Sequence, residues 1–187
     1  NEGNDSLAGG AGFNSLYGGA GDDTLNGGDG SDLFNGGEGN DSMAGGAGFD
    51  FFLGGGAGND TLDGGADNDS VNYLDATGPV TVNLALGTAT GAGTGSDTLI
   101  SVENVYGSQY ADILTGNTGS NTLSGSGGND TLTGGAGSDN FAVSWNGAVD
   151  TSVDTITDFS AGVGGDRLST PAWWWLLTNY TSGDNPF

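Results

Sequence analysis

The sequence predicts an all-β chain wound as a right-handed parallel β-roll: two repeat blocks joined by a short strand-rich insert, with a capping segment at the C-terminal end. Three observations predict it. A nine-residue period runs through two stretches of the chain, one place in every unit is apolar, and Gly supplies 41 of the 187 residues, most of them at other fixed places in the unit. A strict three-residue period is absent, which excludes collagen despite the glycine content.

Counted from the glycine pairs, full units begin at Gly9, Gly18, Gly27, Gly36, Gly45, Gly55 and Gly64, with a partial unit over 1–8 and one extra residue at Gly54. The period returns at Gly107, Gly116, Gly125 and Gly134. The eighth position is Leu7, Leu16, Leu25, Phe34, Met43, Phe52, Leu62, Val71, Leu114, Leu123, Leu132 and Phe141, apolar in all twelve units. The sixth is Asp5, Asn14, Asp23, Asp32, Asp41, Asp50, Asp60, Asp69, Asp112, Asn121, Asp130 and Asp139. Glycine fills the fourth position except at Asp67 and Tyr110.

Each unit reads Gly-Gly-x-Gly-x-Asp followed by x-apolar-x. The glycines permit positive φ and a tight turn. The triplet has one inward side chain between two outward ones, as a very short strand has. Two units, 18 residues, make one turn of a coil with a strand on each side. The expected organisation is a first repeat block over 1–72, a joining insert over 73–106 that continues the roll, a second block over 107–142 and a capping segment over 143–187, cut short at its end. With Asn1 rather than Met at the start, a fragment or a processed piece is expected.

Such a coil needs help. Stacked rungs lie about 4.8 Å apart, so Asp23 falls between Asp5 and Asp41. Unit charges at that separation repel by about 1 kcal/mol in water and about 3.5 kcal/mol at an effective dielectric of 20. A hard divalent cation between rungs reverses the sign. Calcium takes six to eight oxygens from carboxylates and carbonyls in flexible geometry, whereas magnesium demands a tighter octahedron. The sixth-position residues offer side-chain oxygens. The glycines at positions two and four offer carbonyls: Gly10, Gly12, Gly19, Gly21, Gly28, Gly30, Gly37, Gly39, Gly46, Gly48, Gly56, Gly58, Gly65, Gly128, Gly135 and Gly137. One edge is expected to stack Asp5, Asp23, Asp41 and Asp60, the other Asn14, Asp32, Asp50 and Asp69, with Asp112 facing Asp130 and Asn121 facing Asp139. Pairing implies about eight ions, weaker at the neutral Asn14 and Asn121.

Composition removes other chemistries. There is no His and no Cys, so ordinary zinc sites and His-assisted nucleophiles are excluded within the chain. Arg167 is the single basic residue, and a net charge of −23 repels nucleic acid and anionic membranes. The longest apolar run, 172–177, is too short to span a bilayer.

The unit resembles the repeats-in-toxin (RTX) calcium-binding nonapeptide. Gly18-Gly19-Ala20-Gly21-Asp22-Asp23-Thr24-Leu25-Asn26 and Gly134-Gly135-Ala136-Gly137-Ser138-Asp139-Asn140-Phe141-Ala142 match it throughout. The intervening and following segments are similar to RTX regions of bacterial type I secretion substrates. There 79–86 alternates as a half-buried strand, 92–100 is a degenerate unit with Asp97 at its sixth position, 101–108 re-enters the second block and 154–159 follows the last repeat. The resemblance implies a non-catalytic module, unfolded in the calcium-poor cytosol, exported with the type I secretion machinery and folded by calcium outside a bacterium, in the medium or at the cell surface. Alternatives are a structural or adhesive element of a surface layer or adhesin, and a calcium-dependent polysaccharide-binding module of an extracellular enzyme. Trp173, Trp174 and Trp175 are expected to cap the roll or to serve self-association or a neighbouring domain. Asp154, Asp158 and Asp166 are candidates for one further ion. Asp22, Asp29, Asp63 and Asp67 are read as solvated charge, and the recurring Asn-x-Ser/Thr triplets as by-products of the repeat.

Overall fold

The computed structural model describes residues 2–142 and 152–169. Trp173–Trp175 and the capping and self-association expected of them lie outside the described residues. In the first block the strands are β1 (Ser6–Ala11), β2 (Ser15–Ala20), β3 (Thr24–Asp29), β4 (Leu33–Glu38), β5 (Ser42–Ala47), β6 (Phe51–Phe52), β7 (Gly56–Ala57), β8 (Thr61–Ala66) and β9 (Ser70–Asn72). The insert carries β10 (Val80–Asn83), β11 (Thr88–Gly91), β12 (Gly95–Ile100) and β13 (Asn104–Tyr106). Then follow β14 (Ile113–Thr115), β15 (Thr122–Ser124), β16 (Thr131–Thr133), β17 (Asn140–Ala142), β18 (Thr155–Ile156) and β19 (Arg167–Ser169). No helix is present among the described residues.

Alternate strands go to opposite sheets. One runs β1-β3-β5-β8-β12-β11-β10-β14-β16-β18, the other β2-β4-β6-β9-β13-β15-β17-β19, with β7 also on β4. Pairing within the repeats is parallel and offset by 18, as in Leu7↔Leu25, Leu25↔Met43 and Leu16↔Phe34. This is the two-unit turn expected from the period. The eighth-position side chains therefore form two files, one from each sheet, that meet in a single core. Leu25, Phe34, Met43, Phe52, Leu62, Val71, Leu114, Leu123, Leu132 and Phe141 are all almost fully buried. Phe34 and Phe52 stack with ring centroids 4.8 Å apart, the rung spacing itself. Ile156 and Leu168 extend the two files beyond the last repeat.

Two irregularities are absorbed locally. The extra Gly54 breaks a six-residue strand into β6 and β7. Gly54 and Gly55 take φ of 58° and 76°, and pairing resumes at Gly37↔Gly56. This is how a bulge accommodates one inserted residue without shifting the register beyond it. The insert is larger. β12 pairs with β8 in the repeat register, Leu99 opposite Leu62, as expected of a degenerate unit. β11 and β10 fold back antiparallel, and β10 hands over to β14 with Val82 opposite Leu114. One sheet thus gains two strands that the other lacks, and Val80, Val82 and Ala89 carry the core across them. The strand expected over 79–86 stops at Asn83: the Leu86 amide donates to the Asn83 side chain in a turn, which leaves Leu86 exposed.

Candidate metal-binding edges

Each sixth-position residue sits just before a strand, at the edge where the chain turns from one sheet to the other. There its backbone N–H donates to Oδ1 of the sixth-position residue one turn on. One edge runs Asp5 to Asp23, Asp23 to Asp41 and Asp41 to Asp60, at 2.7–2.8 Å. It continues from Asp60 to Asp97, and after the insert from Asp112 to Asp130 and Asp130 to Asp154. The other runs Asn14 to Asp32, Asp32 to Asp50 and Asp50 to Asp69, then Asn121 to Asp139 and Asp139 to Asp166. These are the stacks the period predicts, on the edges it predicts. At the insert Val80 N–H takes the place of an aspartate amide on Asp112, and Glu103 takes the place of an aspartate under Asp69.

One carboxylate oxygen is thereby spent on the ladder. The other is the informative one. Oδ2 of Asp5, Asp23, Asp32, Asp41, Asp50, Asp60, Asp69, Asp130 and Asp139 is buried and accepts no hydrogen bond. An ionised oxygen in that state is costly unless something positive compensates it. Beside it lies the first-position glycine of the same unit. A Cβ on Gly27 would strike Asp32 Oδ2 and come within 2.7 Å of the Gly45 carbonyl oxygen. The same holds at Gly36, with Asp41 Oδ2 and the Gly55 carbonyl, and at Gly134 with Asp139 Oδ2. The absence of a side chain leaves a small cradle edged by a carboxylate and a carbonyl from the next rung. Among the described residues no three acidic side chains converge on one point. A cation here would take most of its oxygens from the backbone, which suits calcium and no softer or stricter metal. The residues present fit that ion.

Without a cation the edges favour protons. Burial raises the carboxyls of Asp41, Asp50, Asp112 and Asp139, and pushes Asp60 to about 6 and Asp69, Asp97 and Asp130 to about 7. The like charge one rung away adds to the rise: Asp41 on Asp60, Asp50 on Asp69. Amide donation pulls the other way and is outweighed. Folded values thus stand above the ordinary 3.8, so the metal-free roll holds protons more tightly than the unfolded chain. Stability of the metal-free roll should therefore fall as pH rises through about 6–7, and be greatest below about 4. Urea titrations of calcium-stripped protein at pH 4, 5 and 6 should give successively lower midpoints, with the roll lost by pH 7; a midpoint that rises with pH would contradict this.

Several residues stand elsewhere than the sequence suggests. Asp154, Asp158 and Asp166 do not share one site. Asp154 and Asp166 extend opposite ladders, and Asp158 accepts from the amides of Gly134 and Gly135. Asp22 is more than solvated charge: it belongs to an outer ladder at the fifth position, with Asp22 N–H on Asn4, Asn40 N–H on Asp22 and Asn59 N–H on Asn40. The recurring Asn of the Asn-x-Ser/Thr triplets supplies that ladder. The first-position carbonyls beside Oδ2 and the role of Glu103 have no signal in residue type; only the fold shows them. Asp67 takes φ 79° in place of the usual fourth-position glycine.

The model of the RTX calcium-binding nonapeptide repeat matches in four copies, over residues 1–34, 23–52, 52–74 and 106–141, more than half of the chain. The chain belongs to the RTX calcium-binding repeat family. No curated protein matches the chain significantly. The family matches leave 75–105 uncovered, and that segment holds most of the antiparallel insert of this RTX roll.

Proposed function

We propose that this calcium-binding RTX roll is a folding module of a larger extracellular protein: unstructured where calcium is scarce, exported by a type I system, and folded when calcium fills its edges outside. It performs no catalysis itself. The observation that carries the reading is the set of nine buried, unpartnered carboxylate oxygens, repeated once per rung. A fold that buries them gains its stability from the ion, so binding energy becomes folding energy. With a single basic residue in the chain, the edges have no internal cation to substitute.

The export coupling makes a quantitative demand. Calcium must be too weakly bound to fold the chain at cytosolic levels, yet tight enough outside, which places the sites with extracellular modules at a Kd of about 10⁻⁴–10⁻³ M. Calcium titration followed by far-ultraviolet circular dichroism should show a cooperative coil-to-β transition with its midpoint in that range. A midpoint near 10⁻⁷ M would mean folding before export and would contradict the proposal.

A further inference from the structure

Not every loop of the roll leaves its sixth-position oxygen free, and in three of them the chain's own donors occupy it. Where the second position is a glycine of the first block its φ is positive, from 96° at Gly65 to 118° at Gly19. Every aspartate following such a loop in that block has an unpartnered Oδ2. Ser126 and Gly135, with φ of 72° and 95°, precede Asp130 and Asp139, whose Oδ2 atoms are also unpartnered. Ser108 and Asn117 occupy the same second position without positive φ. There the amide faces inward. Ser108 N–H donates to Asp112 Oδ2 at 2.6 Å and its hydroxyl to Oδ1 at 2.7 Å, both residues being fully buried. Asn117 N–H donates to Asn121 Oδ1 at 2.8 Å. At the third exception, Asp97, the loop keeps a positive φ at Gly93, but the buried Tyr73 hydroxyl donates to Oδ2 at 3.0 Å.

We propose that ion binding is allotted loop by loop, and that the loops of Asp97, Asp112 and Asn121 take no calcium because the chain's own donors occupy the ligating oxygens. These three lie together around the insert, where the antiparallel strands interrupt one edge. They form an ion-free collar between two calcium-loaded segments. The second-position residue is the selector in two of them: positive φ turns its amide away from the carboxylate and leaves room for a cation, whereas an ordinary φ turns the amide in and replaces the cation. An amide or hydroxyl donor satisfies such an oxygen without adding charge, so within the folded roll the collar needs no ion of its own.

The inference rests on the calcium-binding reading and can be separated from it by counting ions. Native mass spectrometry of the full chain at saturating calcium gives the reference number; a wild-type count of zero would sink the calcium-binding reading itself. Asp112→Asn should leave the count unchanged, while Asp41→Asn should lower it by at least one. Ser108→Gly should raise it by one, since it removes the hydroxyl donor and restores a residue that accepts positive φ. A loss of an ion in Asp112→Asn, or an unchanged count in folded Ser108→Gly, would overturn the allotment while leaving calcium binding intact. Should Ser108→Gly fail to fold, the comparison of Asp112→Asn with Asp41→Asn decides alone.

Discussion

Gly36→Val is expected to abolish at least one calcium site and to destabilise the loaded roll by more than about 3 kcal/mol, the upper end of ordinary overpacking. Gly36 is not among the residues with positive φ, so backbone strain is not the cause. The cause is space. A Cβ there would overlap Asp41 Oδ2 and lie 2.7 Å from Asp41 Cγ, with the Gly55 carbonyl 2.5 Å away on the next rung. Neither neighbour can yield: the carboxylate is tied to the Asp23 amide, and the carbonyl of Gly55 accepts from Gly37 N–H. Gly164→Ala, outside the repeat loops, is the control. Its φ is 78°, yet nothing lies within 4 Å of the added atom. It should cost about 1–3 kcal/mol through backbone strain alone, with the calcium count preserved. Denaturation in saturating calcium, paired with ion counting, separates the two. Equal counts for both variants would show that the first-position cradle is not where the cation sits.

The contrast between these glycines shows what the sequence could and could not disclose. Periodicity alone placed Leu25, Phe34 and Phe52 in the core and paired Asp23 with Asp41, because a parallel coil repeats every geometric relation at a fixed interval of 18 residues. The Gly54 insertion split one strand and shifted the interval to 19 but left the register beyond it intact, since a bulge absorbs it at the edge of one rung. Where the period fails, so does prediction. Nothing in the repeat marks Tyr73; it becomes the partner of Asp97 only because β12 docks on β8 and brings residues 24 apart into contact. Glu103 lies three residues into what reads as a joining strand, and its longer side chain reaches the Asp69 amide from there. The second-position exceptions at Ser108 and Asn117 were visible as letters, but the direction of their amides was not. Nor does composition distinguish a carboxylate oxygen that is free from one that is capped; burial and hydrogen bonding do.

Chelation is expected to produce the largest change of all, loss of the roll. At pH 7 the folded chain must hold nine unpartnered carboxylate oxygens in two close files, within a total charge of −23. Ordinary domains have about 5–15 kcal/mol in hand. A cation at about ten times its Kd contributes about 1.4 kcal/mol, so the sites together supply or withhold most of that margin. Its removal leaves the core files of Leu, Phe and Val, one side chain per nine residues, against the conformational entropy of a glycine-rich chain. Small-angle scattering at pH 7, with excess chelator and then with millimolar calcium restored, measures this directly. The account predicts an expanded coil that collapses to a rod when calcium returns; an unchanged rod in the chelated sample would contradict it.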